Sequence, residues 1–315
     1  MISAKNLTKF FGEKCAVKDV SFEVEKGEIL GFLGPNAAGK STTMRILTGY
    51  FPPTSGTATV AGFDILENSL EARRKVGYLP ENFPLYKDMR VSEFLAFVAT
   101  IKGIPRSDRK ASISGAMEKC GLTHEADNFI GRLSKGYCQR VGIAQAIINN
   151  PDVLILDEPT VGLDPNQIIE IRNLIKELAG KSTVIISSHI LPEVAMVCQR
   201  VIIINKGQIL TVDTPENLSQ NLQKSERIYL EVQGNPEKIK KLIEDTKGVI
   251  KVSSLDELSE SIYGINVETE LDRTIRKEMA QKLVTEECGL FEMHTKQLTL
   301  EEIFIQMVDK GGEQN

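Results

Sequence analysis

The sequence predicts an α/β chain in two parts. The larger is built on a mainly parallel sheet, with an antiparallel β subdomain and an all-helical insert; the smaller is an α+β unit of ferredoxin-like order. Three observations predict this. Short apolar runs such as Val153-Leu-Ile-Leu156 and Val201-Ile-Ile-Ile204 alternate with helical stretches, and strands covered on both faces read as such runs. Between about residues 84 and 150 the strand pattern gives way to helical spacing alone. Beyond residue 220 the order becomes strand, helix, strand, strand, helix, strand, which is the βαββαβ arrangement.

In chain order, Lys14 to Glu25 reads as a strand, and Glu28-Ile-Leu-Gly-Phe-Leu33 as a short buried one. A glycine-bearing turn leads to a helix from Lys40 to about Gly49. Thr57–Ala61 and Val76–Leu79 are further strands. Val91–Ile101 repeats apolar residues at helical spacing, and two more helices are expected near 108–120 and 135–149. Strands return at 153–156, 183–187 and 201–204. A helix from Pro165 to Leu178 separates the first two, with Ile168, Ile171, Leu174, Ile175 and Leu178 as its core stripe. The first part is expected to span 1–218, with its helical subdomain at about 84–150; 219–226 reads as a polar linker and 227–310 as the second part. Within the latter, strands are expected at 227–233, 249–254, 260–267 and 290–296, helices at 236–246 and 271–286, and a closing helix at Thr299–Val308.

Composition narrows the function classes. A hydrophobic fraction of 41% supports an ordinary core, yet no apolar run approaches the about 20 residues that a bilayer crossing needs. Met1-Ile-Ser-Ala-Lys-Asn-Leu7 has no apolar stretch of the signal-peptide kind. The net charge of −5, with no basic run longer than Arg73-Arg-Lys75, argues against a nucleic-acid partner. The cysteines Cys15, Cys120, Cys138, Cys198 and Cys288 are scattered without metal-ligand spacing, so reduced thiols are expected.

Gly34-Pro-Asn-Ala-Ala-Gly-Lys-Ser41 fits the G-x-x-x-x-G-K-[ST] pattern, after a strand and before a helix. Backbone N–H groups of such a loop point inward at phosphates, helped by the positive end of the helix. The core is therefore expected to be a P-loop NTPase core. ATP is expected on Gly34, Pro35, Asn36, Ala37, Ala38, Gly39, Lys40, Ser41 and Thr42; Lys40 reaches the β- and γ-phosphates and Ser41 ligates Mg²⁺. Val153-Leu-Ile-Leu-Asp-Glu158 ends a strand in two carboxylates. Asp157 is expected to hold the Mg²⁺ through water and Glu158 to act as general base toward the attacking water.

Leu133-Ser-Lys-Gly-Tyr-Cys-Gln-Arg140, lying between these motifs, closely resembles the signature of the ABC ATPases. Other elements resemble that family in the right order: Phe11 in Phe10-Phe-Gly12 as the adenine-stacking aromatic, Glu81 after Gly77-Tyr-Leu-Pro80 at the Q-loop position, Val161-Gly-Leu-Asp164 as the D-loop, and His189 after Thr183-Val-Ile-Ile-Ser-Ser188 as the switch histidine. The resemblance covers about residues 1–218. It implies a head-to-tail dimer of two copies, each ATP lying between one copy's phosphate loop and the other's signature. Ser134, Gly136, Gln139 and Asp164 then contact nucleotide in trans, Glu81 joins Ser41 and Asp157 as a metal ligand, and His189 holds the γ-phosphate and water. His124 and His294 have no such context and read as surface or packing residues.

Gly77–Tyr86 and Leu298-Thr-Leu-Glu-Glu-Ile-Phe304 further resemble a prokaryotic exporter branch with separate permease and ATPase chains, of gliding-motility, sodium-export and drug-resistance type. This implies a multispanning membrane permease as partner and a place at the cytoplasmic face of the cell membrane. The alternative is a soluble ABC ATPase acting on ribosome, DNA or another cytosolic complex. Against it stand the single set of motifs and the absence of a long heptad array between Ser41 and Leu133. The second part reads equally as a regulatory module, a dimerisation element or a stabilising appendage. Four residues depart from the family pattern: Ala37 for glycine, Glu81 for glutamine, Phe11 for tyrosine, and Cys138 for a long polar residue. If the loop needs positive φ at residue 37, the Cβ costs about 1–2 kcal/mol.

Overall fold

The computed structural model describes residues 1–221, 226–259 and 261–296, and the chain divides into two units at Pro215 and Glu216. In the first unit β1 (Ile2–Phe11) pairs antiparallel with β2 (Lys14–Val24). Then come β3 (Ile29–Leu33), α1 (Lys40–Leu47), β4 (Ser55–Val60), β5 (Phe63–Asp64), α2 (Ser69–Arg74) and β6 (Val76–Leu79). The helical insert holds α3 (Val91–Ile101), α4 (Arg109–Lys119) and α5 (Lys135–Ile147). The chain returns through β7 (Val153–Asp157), α6 (Pro165–Ala179), β8 (Thr183–Ser188), α7 (Leu191–Ala195), β9 (Arg200–Asn205) and β10 (Gln208–Asp213), and α8 (Pro215–Asn221) starts at the boundary between the units.

Two sheets result. One is antiparallel, in the order β2-β1-β4-β5; the other runs β10-β9-β3-β8-β7-β6, parallel from β9 to β6 with β10 as an antiparallel edge. Every residue of β3, β7 and β8 is buried, as strands covered on both faces require. A single core joins the antiparallel sheet and α1 to one face of the parallel sheet, through Leu7, Val20, Phe32, Met44, Ile155 and Ile202. On the other face α7 packs on β3 and β8. A Cβ on Gly31 would lie 2.1 Å from the Val194 side chain, so glycine sets how closely α7 approaches. In α6 the expected stripe is buried at Ile171, Leu174, Ile175 and Leu178, while Ile168 is half-buried.

The second unit contains β11 (Glu226–Gln233), α9 (Pro236–Glu244), β12 (Val249–Ser259), β13 (Ile262–Thr269), α10 (Arg273–Thr285) and β14 (Gly289–Lys296). Its strands pair antiparallel in the order β12-β13-β11-β14, the ferredoxin-like topology. Ile228, Leu230, Ile239, Ile243, Met279 and Leu283 form its core.

The expected linker 219–226 overlaps regular structure at both ends. Pro215 opens α8, which runs through Asn221, because proline is well suited to the first turn of a helix; Glu226 already belongs to β11. The helix expected at Thr299–Val308 lies outside the described residues. Among the described residues no helix is long and apolar enough to cross a membrane.

Candidate functional site

β3 delivers the chain into the glycine-bearing loop, and α1 starts at its end. A Cβ on Gly34 would lie 2.4 Å from the Ile204 carbonyl oxygen, so the tight approach of β9 requires glycine there. Gly39, at φ 109°, is the N-cap of α1; no side chain caps this end and no acidic residue occupies the first turn. The helix therefore presents its unpaired N–H groups and positive dipole end to the loop. Ala37 has φ 64°, the left-handed conformation that penalises a Cβ. Ala37→Gly is expected to stabilise the fold modestly: about 1–2 kcal/mol of relieved strain exceeds the about 0.5–1 kcal/mol cost of glycine's freer unfolded chain. Urea unfolding of both proteins checks this.

The Lys40 ammonium is buried under the loop. It donates to the Gly34 carbonyl at 2.7 Å and to the Pro35 carbonyl at 3.2 Å, and lies 3.4 Å from Glu158 Oε1. Glu158 Oε2 is 3.0 Å from His189 Nδ1. Glu158 is itself strained, with φ 51°, directly beyond the end of β7. Asp157 is fully buried. Its Oδ1 accepts from Ser41 Oγ at 3.2 Å and from Ser187 Oγ, while its Oδ2 has no hydrogen-bond partner. Tyr78, on the neighbouring strand β6, has its phenol pushed up to about 12, first by burial and then by the charge of Asp157.

A cavity of about 720 Å³ gathers much of the expected site: Phe11, Asn36, Ala37, Ala38, Gly39, Lys40, Ser41, Thr42, Glu81, Glu158 and His189. Its volume is that of a small-molecule site. Phe11 is half-exposed at its mouth, edge-on to Phe51 at 5.3 Å between centroids. Gly34 and Pro35 contribute the carbonyls that hold Lys40. Lys14 and Lys206, which the sequence did not single out, also line the cavity. The donors suit Mg²⁺: Ser41 and Asp157 offer hard oxygens, one of them buried and unpaired, and Mg²⁺ takes few protein oxygens and completes its shell with water and phosphate.

Ser134, Gly136 and Asp164 are not part of this cavity. They line a second one of about 470 Å³, together with His124, Tyr137, Arg140 and Gln167, and the two cavities share no lining residue. Ser134 is the N-cap of α5, its Oγ accepting from Tyr137 N. Asp164 caps α6, accepting from Gln167 N at 2.9 Å. The Gln167 side chain lies over Gly136, where a Cβ would meet it at 2.7 Å. Gln139 lines neither cavity. His124, expected as a surface or packing residue, has Nε2 3.0 Å from the Tyr137 hydroxyl beside the signature. All five cysteines are free, and burial raises the thiol of Cys120 to about 12 and that of Cys198 further.

A phosphate loop running from a parallel strand into a helix, facing two carboxylates at the end of β7, defines a phosphate-loop NTPase. Family comparison sharpens this. The family described as ABC transporter matches residues 17–161, and an AAA domain family matches 130–196. The linearmycin resistance ATP-binding protein LnrL of Bacillus subtilis is 30% identical over 98% of this chain and 99% of its own length. The bacitracin transport ATP-binding protein BcrA of Bacillus licheniformis is 40% identical over 74% of each chain. Among solved structures, the MJ0796 cassette, a dimer in a post-hydrolysis state bound to ADP and Pi, superposes with TM-score 0.62 at 27% identity, covering 68% of this chain and 98% of that one. The chain belongs to the ABC transporter ATP-binding family, and it is an ATPase with the ABC cassette fold.

Proposed function

We propose that this chain is the motor subunit of an ABC exporter, hydrolysing ATP as a head-to-tail dimer beneath a separate multispanning permease at the cytoplasmic face of the membrane. The observation that carries this reading is the division of the site. The signature residues Ser134 and Gly136 and the phosphate loop line separate cavities of one chain, which fits an arrangement in which a second copy brings its signature onto a bound nucleotide. The solved dimer of a relative, and relatives named for linearmycin resistance and bacitracin transport, support the dimer and the transport role.

In this mechanism Phe11 stacks on adenine, and the loop from Gly34 to Thr42 cradles the phosphates. Lys40 exchanges its carbonyl and Glu158 contacts for phosphate oxygens. Ser41, Asp157 and Glu81 would hold Mg²⁺, which when bound neutralises phosphate charge. Glu158 takes a proton from the attacking water, and His189, 3.0 Å from that carboxylate, orients it while facing the γ-phosphate. In trans, Ser134 and the Gly136 amide bridge to the γ-phosphate at the N-terminus of α5, where the helix dipole favours negative charge. Gln139 and Asp164 complete that side. ATP closes the dimer, and hydrolysis to ADP and phosphate loosens it.

The test is to tag the chain in its native cell, solubilise the membranes gently and identify what copurifies. A multispanning permease is expected. Recovery from the soluble fraction with ribosomes or nucleic acid would replace the transport reading with a soluble ABC ATPase.

A further inference from the structure

We propose that Ser187 is a positioning residue for hydrolysis, holding the metal-binding and proton-accepting carboxylates in register through one hydroxyl. The proposal rests on the roles given above to Asp157 and Glu158. Ser187 lies on β8 directly opposite Asp157 in the parallel register, and both are fully buried. Its Oγ donates to Asp157 Oδ1 and accepts from the Glu158 backbone N–H at 2.9 Å. One oxygen thus ties the side chain of one carboxylate residue to the backbone of the next.

Both ties act where they are needed. A carboxylate rotates about its last torsion with little cost, and two hydroxyls, from Ser41 and Ser187, converge on Oδ1. That fixes the rotation and leaves Oδ2, the buried oxygen without a protein partner, as the one that would accept from a water of the metal's shell. Glu158 has φ 51°, a conformation that persists only when its surroundings over-determine it. The Ser187 hydroxyl bond to its N–H is part of that constraint, and its carboxylate then meets Lys40 and His189.

An ordinary buried serine that merely satisfies its own hydroxyl would behave differently. In Ser187→Ala the Glu158 N–H keeps a second acceptor, the Ser187 carbonyl at 3.2 Å, so the fold is expected to survive. The experiment uses the full chain as wild type, Ser187→Ala and Ser187→Thr. It measures ATP affinity by calorimetry in EDTA and in Mg²⁺, melting temperature, kcat and KM. Ser187→Ala is expected to bind ATP in EDTA as wild type does, to lose part of the added affinity conferred by Mg²⁺, and to drop in kcat by about 10- to 100-fold, the usual penalty for losing a group that orients a metal ligand. Ser187→Thr, which restores the hydroxyl, is expected to recover both. Unchanged kcat in Ser187→Ala overturns the proposal. So does a parallel fall in melting temperature and EDTA affinity, because the serine would then serve the core alone. Failure of the underlying site reading shows elsewhere, as normal turnover in Glu158→Gln.

Discussion

Glu158→Gln is expected to bind Mg·ATP and to hydrolyse it about 10²- to 10⁴-fold more slowly, the contribution usually carried by a positioned general base. The substitution keeps shape and an acceptor oxygen and removes the basicity. It also removes the negative charge 3.4 Å from the Lys40 ammonium. In the nucleotide-free chain that carboxylate competes with phosphate for the same cation. ATP affinity should therefore hold or rise while turnover collapses. Lys40 is not left unpaired, since the Gly34 and Pro35 carbonyls still accept from it. With hydrolysis blocked, the ATP-bound dimer should persist. Single-turnover hydrolysis and light scattering on a sizing column read the two effects separately. Normal turnover would refute Glu158 as the base; slow turnover with monomers only would leave the base in place and remove the dimer.

How far the sequence reached depended on where each signal resides. β3, β7, β8 and β9 were legible because parallel strands buried on both faces carry near-continuous apolar runs. β1 was not. Its register shifts at Ala4/Leu7, Leu7/Lys9 and Lys9/Phe10 break the two-residue alternation on which strand reading relies. α2, with six residues, is too short to show helical periodicity. In the site, the phosphate loop and the carboxylate pair were legible because their chemistry demands fixed residues at fixed spacing. The strain at Ala37 was foreseen as a condition, and the φ of 64° meets it. The bond from Ser187 to Asp157 could not be read, because the pairing of β7 with β8 creates it across 30 residues. Two serines following the apolar Val184-Ile-Ile186 were the available sign. The contact of His124 with Tyr137 was hidden for the same reason: a 3₁₀ turn and the start of α5 bring them together.

Lys40→Ala should fail at an earlier step and lose ATP itself. The ammonium lines the cavity, donates to two loop carbonyls and is buried. Without it, the phosphates meet the Asp157 and Glu158 carboxylates with only loop amides and the α1 dipole in compensation. Truncating one member of a buried charge pair costs about 2–5 kcal/mol, or about 30- to 4,000-fold in affinity at 1.4 kcal/mol per decade. Calorimetric titration with Mg·ATP reads this directly, and a melting curve confirms that the fold remains. Lys40→Arg sharpens the result, since a planar fork does not reproduce a point charge among carbonyls and should recover little. The pair of variants then divides the cycle. Lys40→Ala weakens binding and with it any ATP-dependent dimer, whereas Glu158→Gln preserves binding and prolongs the dimer. A chain in which both variants bound ATP equally well would have its nucleotide site somewhere other than the loop between β3 and α1.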